Sequence, residues 1–171
     1  LSIRHAAQFV LVGSGNPEEG ELRPQLLDRF GLSVEVRTPT DIEDRIEVIK
    51  RRDSYEKSPS RYVGRWRKKD GEIREKILAA RKNLSGMDTK KPILRDCAEL
   101  CVALGSDGLR GELTLLRASR ALAAYQGASA VTRDHLRSVA PIALSHRLRR
   151  DPLDEAGSAA RVTRAVDEVF G

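Results

Sequence analysis

The sequence predicts an α/β region followed by an all-α helical bundle. The first observation is the apolar run 9–12, which ends at a Gly-Ser-Gly-Asn segment, as a strand buried on both faces of a parallel sheet does. The second is that apolar residues recur at helical spacing after Gly71, with glycines ending successive stretches. We therefore expect the end of a parallel-sheet domain over 1–53, a linker or insertion over 54–70, and a helical domain over 71–171.

Composition narrows the class of protein. Hydrophobic residues make up 40% and charged residues 33% of the 171 positions, which is typical of a helix-rich globular protein. No apolar run reaches the roughly 18 residues of a membrane span, and the first residues lack a signal-peptide pattern, so a cytoplasmic protein is expected. Because the chain begins with Leu rather than Met, we expect it to be part of a longer protein.

The chain is basic, with a formal net charge of +6 and a pI near 9.6. Proteins that bind nucleic acid usually add aromatic side chains for stacking, and aromatic residues are only 4% here. A surface for an acidic partner or for nucleotide phosphates is therefore favoured over direct nucleic-acid binding.

Asn16 follows the predicted strand at the sheet edge where ligands bind, and its amide could orient a water or contact a phosphate oxygen. A short helix then begins at Arg23-Pro24, and its apolar side carries Leu26, Leu27 and Phe30. Arg29 lies between these anchors and must point away from them. The alternative interpretations are that Asn16 only forms a turn and that Arg29 is a solvated or ion-paired surface residue.

Three further segments separate this region from the bundle. Alternation predicts a short strand over 33–37, and spaced isoleucines predict a helix from about Asp41 to Asp53. The polar stretch 54–70 indicates a loop or frayed helix. Its Tyr62, Trp66 and arginines also fit a segment that contacts a partner. The sequence leaves both possibilities open.

The rest of the sequence predicts helices joined by short loops. One ends at Ser85-Gly86, the next at Gly105 and the third at Gly127; a fourth starts at Thr132, with a kink or break near Ala140 because of Pro141, and a last one covers 159–170. Such a series of amphipathic helices forms a compact bundle.

Cys97 and Cys101 share one face of the second of these helices. Buried thiols that pack as small hydrophobes are the favoured interpretation. A metal site would require two more donors, and His5, His135 and His146 are scattered along the chain.

Arg110 falls at the amino-terminal end of a predicted helix, where the macrodipole disfavours a cation. A phosphate would meet both the guanidinium and the free backbone N–H groups there. The alternative is an exposed arginine that is hydrated or paired with Asp107 or Glu112.

The segment GNPEEGELRPQLLDRFGL resembles the AAA+ class of nucleoside triphosphatases, in which a strand-end Asn precedes a helix with the motif L-L-x-R-F. The sequence of this segment is similar to that of the ATPase subunit of magnesium chelatase. The segments GLRGELTLLRASRALA and HRLRRDPLDE (146–155) resemble the same subunit. The resemblance implies that Asn16 is the sensor 1 residue, Arg29 the arginine finger offered to a neighbouring subunit, and Arg110 the sensor 2 residue of a helical lid.

The same resemblance implies a function. ATP hydrolysis with Mg²⁺ would occur in a homo-oligomeric ring, expected to be a hexamer. The ring would act through an intermediary subunit with a metal-ion adhesion domain on a porphyrin-binding subunit. Mg²⁺ would then enter protoporphyrin IX for chlorophyll or bacteriochlorophyll synthesis.

The sequence also departs from a complete ATPase. It contains no G-x-x-x-x-G-K-[ST] loop and no apolar strand ending in Asp-Glu, so the chain is expected to be the carboxyl-terminal half and to be inactive alone. Two alternatives remain: a MoxR-like or helicase-like AAA+ motor, and a non-enzymatic helical adaptor that only binds partners.

Overall fold

The computed structural model of the chain describes residues 9–16, 20, 22–106, 108–148 and 157–171. Within them lie seven α-helices and a 3-10 turn: α1 (Pro24–Leu27), α2 (Ile42–Lys57), α3 (Pro59–Leu84), α4 (Lys91–Ala103), α5 (Arg110–Tyr125), α6 (Arg133–Leu144), the turn Ser145–Arg147, and α7 (Gly157–Phe170). Expectations for His5, Asp107 and the segment 149–155 fall outside the described residues.

Helices α4 to α7 form the predicted bundle around one hydrophobic core. Its most buried large side chains come from all four helices: Leu100, Leu115, Leu136, Leu144 and Val162. An ion pair supports this core from the side, where Arg133 of α6 donates two hydrogen bonds of 2.7 and 2.8 Å to the buried carboxylate of Asp96 on α4. Because both carboxylate oxygens are bonded, the polar group does not weaken the apolar interface.

The predicted helix ends are confirmed by backbone geometry. Gly105 and Gly127 follow α4 and α5 with φ of +64° and +73°, the left-handed conformation that glycine adopts without a steric penalty. At the start of α6, Thr132 and His135 form a capping box, in which the ring Nδ1 of His135 accepts from the Thr132 N–H at 2.9 Å.

Pro141 does not break α6. The helix continues to Leu144, so the predicted break near Ala140 is wrong, while the kink stays a prediction. The proline removes only the one N–H that would have bonded to the Arg137 carbonyl, and the Ser145 N–H and hydroxyl both donate to the carbonyl oxygen of Pro141.

The predicted α/β region is not confirmed. Residues 9–16 and 33–37 form no strand, and the only β-pairing among the described residues is an isolated parallel bridge between Asp88 and Ala130. Val10 and Val36 are each 90% exposed. A parallel strand needs neighbours on its flanks for its backbone hydrogen bonds, and no described segment pairs with either run.

Helix replaces the irregular segment predicted over 54–70. α2 extends to Lys57, Ser58 interrupts the chain, and α3 begins at Pro59, where the missing N–H of proline is tolerated. The two helices form an arm: α2 buries none of its described side chains, while the far end of α3 packs on α5. The division into domains at these positions stays a prediction.

Cys97 and Cys101 are buried in the bundle core as free thiols, which confirms that they pack as small hydrophobes. The Cys97 Sγ donates to the Glu112 carbonyl at 3.5 Å, which joins α4 to α5. None of the described helices is long and apolar enough to cross a membrane.

Leu136→Ala should lower the free energy of unfolding by about 2–5 kcal/mol, because it leaves a cavity at a fully buried position. Urea denaturation followed by circular dichroism measures the change. Val102→Ala on α4 is the control, since Val102 is 78% exposed. Equal losses in the two variants would contradict the assigned core.

Candidate functional site

Arg29 lies in the turn that follows α1 and is exposed to solvent. Its guanidinium makes no hydrogen bond or ion pair with another described residue. Of its predicted apolar anchors, Leu27 and Phe30 are half-buried, whereas Leu26 is 47% exposed. The turn therefore presents at the surface a cation that pairs with none of the described residues.

The carboxylate of Asp28, directly before Arg29, binds two guanidinium groups. Its Oδ1 accepts from Arg147 Nη1 at 2.5 Å, and its Oδ2 accepts from Arg110 Nη1. The two arginines come from different elements, the 3-10 turn and the first residue of α5. Asp28 therefore joins the turn carrying Arg29 to two parts of the bundle.

Arg147 is the centre of this arrangement, and only 4% of its side chain is exposed. Besides the Asp28 carboxylate, it donates to the carbonyl oxygens of Asp28 and Phe30 at 2.9 and 2.8 Å and to Thr114 Oγ1 at 3.4 Å. A buried guanidinium is stable only when its N–H groups are bonded and its charge is balanced. The turn supplies most of those acceptors, so burial of Arg147 depends on docking of the turn.

The carboxyl end of α6 favours the same docking. A helix leaves its last carbonyl groups without helical partners, and its macrodipole makes that end negative. Here the Ile142 carbonyl accepts from the Ser33 N–H at 2.9 Å, and the Ala143 carbonyl accepts from Arg147 Nε at 3.1 Å. The segment after Arg29 thus completes the end of α6.

His146 adds a titratable contact. Its Nε2 lies 3.1 Å from the Phe30 carbonyl oxygen, so the neutral ring donates this hydrogen bond. Burial lowers the pKa of His146 below 6.5, and the nearby Arg147 charge lowers it further.

Arg110 is the first residue of α5, as predicted, and 57% of its side chain is exposed. Its partner is Asp28, and neither alternative from the sequence, Asp107 or Glu112, is seen in this role: Asp107 lies outside the described residues, and Glu112 makes no ion pair with any of them. The next residue, Gly111, is buried, and a Cβ there would lie 2.7 Å from Ser106 Oγ. The glycine therefore lets the first turn of α5 approach the end of α4 closely.

Asn16 is exposed in the irregular segment 9–16. Three residues earlier the chain passes beside the turn, since a Cβ on Gly13 would lie 3.8 Å from the Phe30 ring. The predicted site residues therefore come from one region of the molecule. Arg110 is joined through Asp28 to the residue next to Arg29, while the segment carrying Asn16 contacts the same turn through Gly13.

Sequence reasoning did not identify Asp28 or Arg147. Asp28 could have been identified from the sequence, because an acidic residue beside a candidate arginine finger can form ion pairs with other cations. Arg147 carried none, because an arginine in the basic stretch HRLRR is expected to be solvated.

The comparison with protein families agrees with the helical fold. Residues 94–166, which cover most of α4, all of α5 and α6, and most of α7, match the AAA lid domain. This part of the chain is thus similar to the lid domain of AAA proteins.

Particular relatives are also identified. The chain is 68% identical over 170 residues to the magnesium-chelatase 38 kDa subunit of Rhodobacter capsulatus, and 68% identical to that of Cereibacter sphaeroides. It is 46% identical over its whole length to the corresponding subunit of Chlorobaculum parvum. The predicted resemblance to the magnesium-chelatase subunit is confirmed. The matches cover 99–100% of this chain, and the chain spans about half the length of these relatives.

Arg147→Gln should lower the free energy of unfolding by about 2–4 kcal/mol, because it removes one of the two donors to the Phe30 carbonyl and leaves Asp28 Oδ1 without a described donor; partial exposure of Asp28 reduces the effect. Chemical denaturation provides the measurement. Arg137→Gln is the control, since the Arg137–Asp167 pair is exposed and 3.7 Å apart, and a change below about 1 kcal/mol is expected. Similar small changes in both variants would show that the buried contacts do not stabilise the docked turn.

Acidification should destabilise the protein through His146. Its folded pKa lies below the unfolded value, so the unfolded state binds more protons and stability falls as pH drops through about 6.5. Melting temperatures at pH about 8 and about 5.5 should therefore fall more in the unmodified chain than in His146→Gln. The glutamine variant keeps the other ionisable groups, so an equal fall in both proteins would contradict this role.

Proposed function

We propose that the chain is part of the ATPase motor subunit of magnesium chelatase. The observation that carries the proposal is Arg29, an exposed cation with no described partner on a turn held by a buried guanidinium. A rigidly held, unpaired arginine can meet the charge that develops on a phosphoryl group without first reorganising. Identity of 68% to magnesium-chelatase 38 kDa subunits over nearly the whole chain supports this choice of family.

In this proposal Arg29 acts as an arginine finger on the γ-phosphate of a nucleotide held by the neighbouring subunit. The reaction is phosphoryl transfer to water, and the finger stabilises the charge on the transferred group. Asp28 bonds Arg110 beside the finger, so a phosphate that reaches Arg29 from a neighbour also approaches Arg110. We therefore assign both arginines to the same intersubunit site, with Asn16 contacting phosphate or orienting the attacking water.

The residues of this chain fit part of an ATP–Mg²⁺ complex. Arg29 and Arg110 suit an anionic phosphate, and each offers a fork of N–H donors. No motif in the sequence suits the α- and β-phosphates or the Mg²⁺ that accompanies ATP. Those groups require residues outside this sequence, and the site is complete only in the full-length subunit.

The assembly follows from a finger that serves a neighbour. Such a contact is heterologous, and repetition closes it into a ring, which we propose to be a hexamer in the cytoplasm. The ring would transmit ATP hydrolysis through the intermediary subunit to the porphyrin-binding subunit. The substrates there are Mg²⁺ and protoporphyrin IX, on the route to chlorophyll or bacteriochlorophyll.

Arg29→Ala in the full-length subunit should reduce ATP turnover by about 10³–10⁵ while nucleotide affinity changes little, because the finger acts mainly in the transition state. A phosphate-release assay and binding of a fluorescent nucleotide measure the two quantities. Arg37→Ala, which removes an arginine whose side chain is 79% exposed, should leave turnover unchanged. Near-normal ATP hydrolysis by Arg29→Ala would contradict the assignment of Arg29 as an arginine finger.

Mixing Arg29→Ala with Arg110→Ala subunits tests whether both arginines act across the same interface. If one subunit donates both, every mixed interface lacks one arginine, and the mixture should stay inactive. If Arg110 instead served the nucleotide of its own subunit, interfaces with both arginines would form and turnover would recover. Mixing each variant with the unmodified subunit is the control for exchange.

A further inference from the structure

A second surface lies on the arm formed by α2 and α3, which the proposed ATPase function does not use. The two helices flank a cleft of about 290 Å³ whose floor includes the Trp66 ring. Arg51 lies 5.2 Å and Lys69 4.9 Å from the centroid of that ring, and the Tyr62 ring packs beside it, tilted by 46° with centroids 6.1 Å apart. We name this feature the basic cleft.

The charges around the basic cleft are unbalanced. Its cationic lining residues are Lys50, Arg51, Arg65 and Lys69, and its one carboxylate is Glu47. Arg51 donates to Glu47 at 2.8 Å and lowers the pKa of that carboxyl. No other cation of the cleft pairs with a carboxylate of the described residues, since Arg65 donates to Ser54 Oγ instead. Three cations therefore converge on one concave surface without counter-charges.

The sequence of α3 around the basic cleft adds to this excess of positive charge. The first eleven residues of α3, before Asp70, carry five cations and no acid: Arg61, Arg65, Arg67, Lys68 and Lys69. Like charges four residues apart on a helix repel one another, and a bound polyanion removes that repulsion. The cleft is thus complementary to a chain that carries several carboxylates.

We propose that the basic cleft binds an acidic, extended segment of a partner protein. Carboxylates of the segment pair with Lys50, Arg65 and Lys69, and its aliphatic atoms pack along the edges of the Trp66 and Tyr62 rings. The aromatic rings supply buried contact area at low entropic penalty, and the cations select for acid. This inference is independent of the ATPase assignment, because it uses none of the residues placed at the nucleotide.

A protein segment fits this surface better than a single-stranded nucleic acid. A base would stack on the face of Trp66, but Arg51 and Lys69 already make cation–π contacts with that ring. An acidic side chain needs no stacking face and pairs with the same cations from the rim.

The test uses Trp66, which is the only tryptophan of the chain and lies in the cleft. Its fluorescence is titrated with a short glutamate-rich peptide, with the same peptide carrying Gln for Glu, and with a thymidine oligonucleotide of equal net charge. Only the glutamate peptide should change the emission at low concentration, and binding should weaken with salt.

Paired variants separate the cleft from general basic charge. Arg65→Gln with Lys69→Gln should weaken peptide binding by about tenfold, as loss of two partly exposed charge contacts does. Arg67→Gln with Lys68→Gln removes the same charges from the same helix outside the cleft and should change affinity less than about threefold. If circular dichroism shows that the variant with Arg65→Gln and Lys69→Gln loses helix, the single variant Lys69→Gln takes its place in the comparison.

Equal weakening by the two double variants would overturn the proposal, because it would mean non-specific attraction. Tighter binding of the oligonucleotide would assign the surface to nucleic acid instead. Equal binding of the Gln peptide, or self-association that excludes the glutamate peptide and disappears in the cleft variant, would also refute an acidic partner.

Discussion

Burial of the Arg147 guanidinium is the interaction on which the site depends. A buried cation is tolerated only with nearly complete hydrogen bonding, and its acceptors here are Asp28, Phe30 and Ala143. The turn carrying Arg29 is therefore bound to the helical bundle, and the two parts are expected to move as one unit. This coupling gives the bundle a direct mechanical link to the residue proposed to reach the neighbouring nucleotide.

Helix ends in the bundle could be predicted because each is determined locally. Gly105 and Gly127 adopt a conformation that few other residues tolerate, and Thr132 forms a capping box with His135, only three residues further on. The strands predicted at 9–12 and 33–37 had no such local basis. An apolar or alternating run shows which face could be buried, but pairing requires partner strands that the pattern cannot supply.

The remaining misses arise from interactions between distant segments. Arg147 contacts residues more than a hundred positions away, so its sequence neighbourhood gave no sign of burial. The 54–70 segment contains Pro59 and Gly64, which suggested a loop, yet its aromatic and cationic side chains pack across two helices. The Arg29 position was predictable because the apolar anchors beside it leave only one direction for a charge.

The most direct test is an electron cryomicroscopy structure of the assembled full-length ring with a non-hydrolysable ATP analogue. Arg29 should lie within hydrogen-bond distance of the γ-phosphate bound by the adjacent subunit, while Arg147 should keep its contacts with Asp28 and Phe30 in its own subunit. A ring in which Arg29 faces its own core, or in which the turn is detached from Arg147, would contradict it.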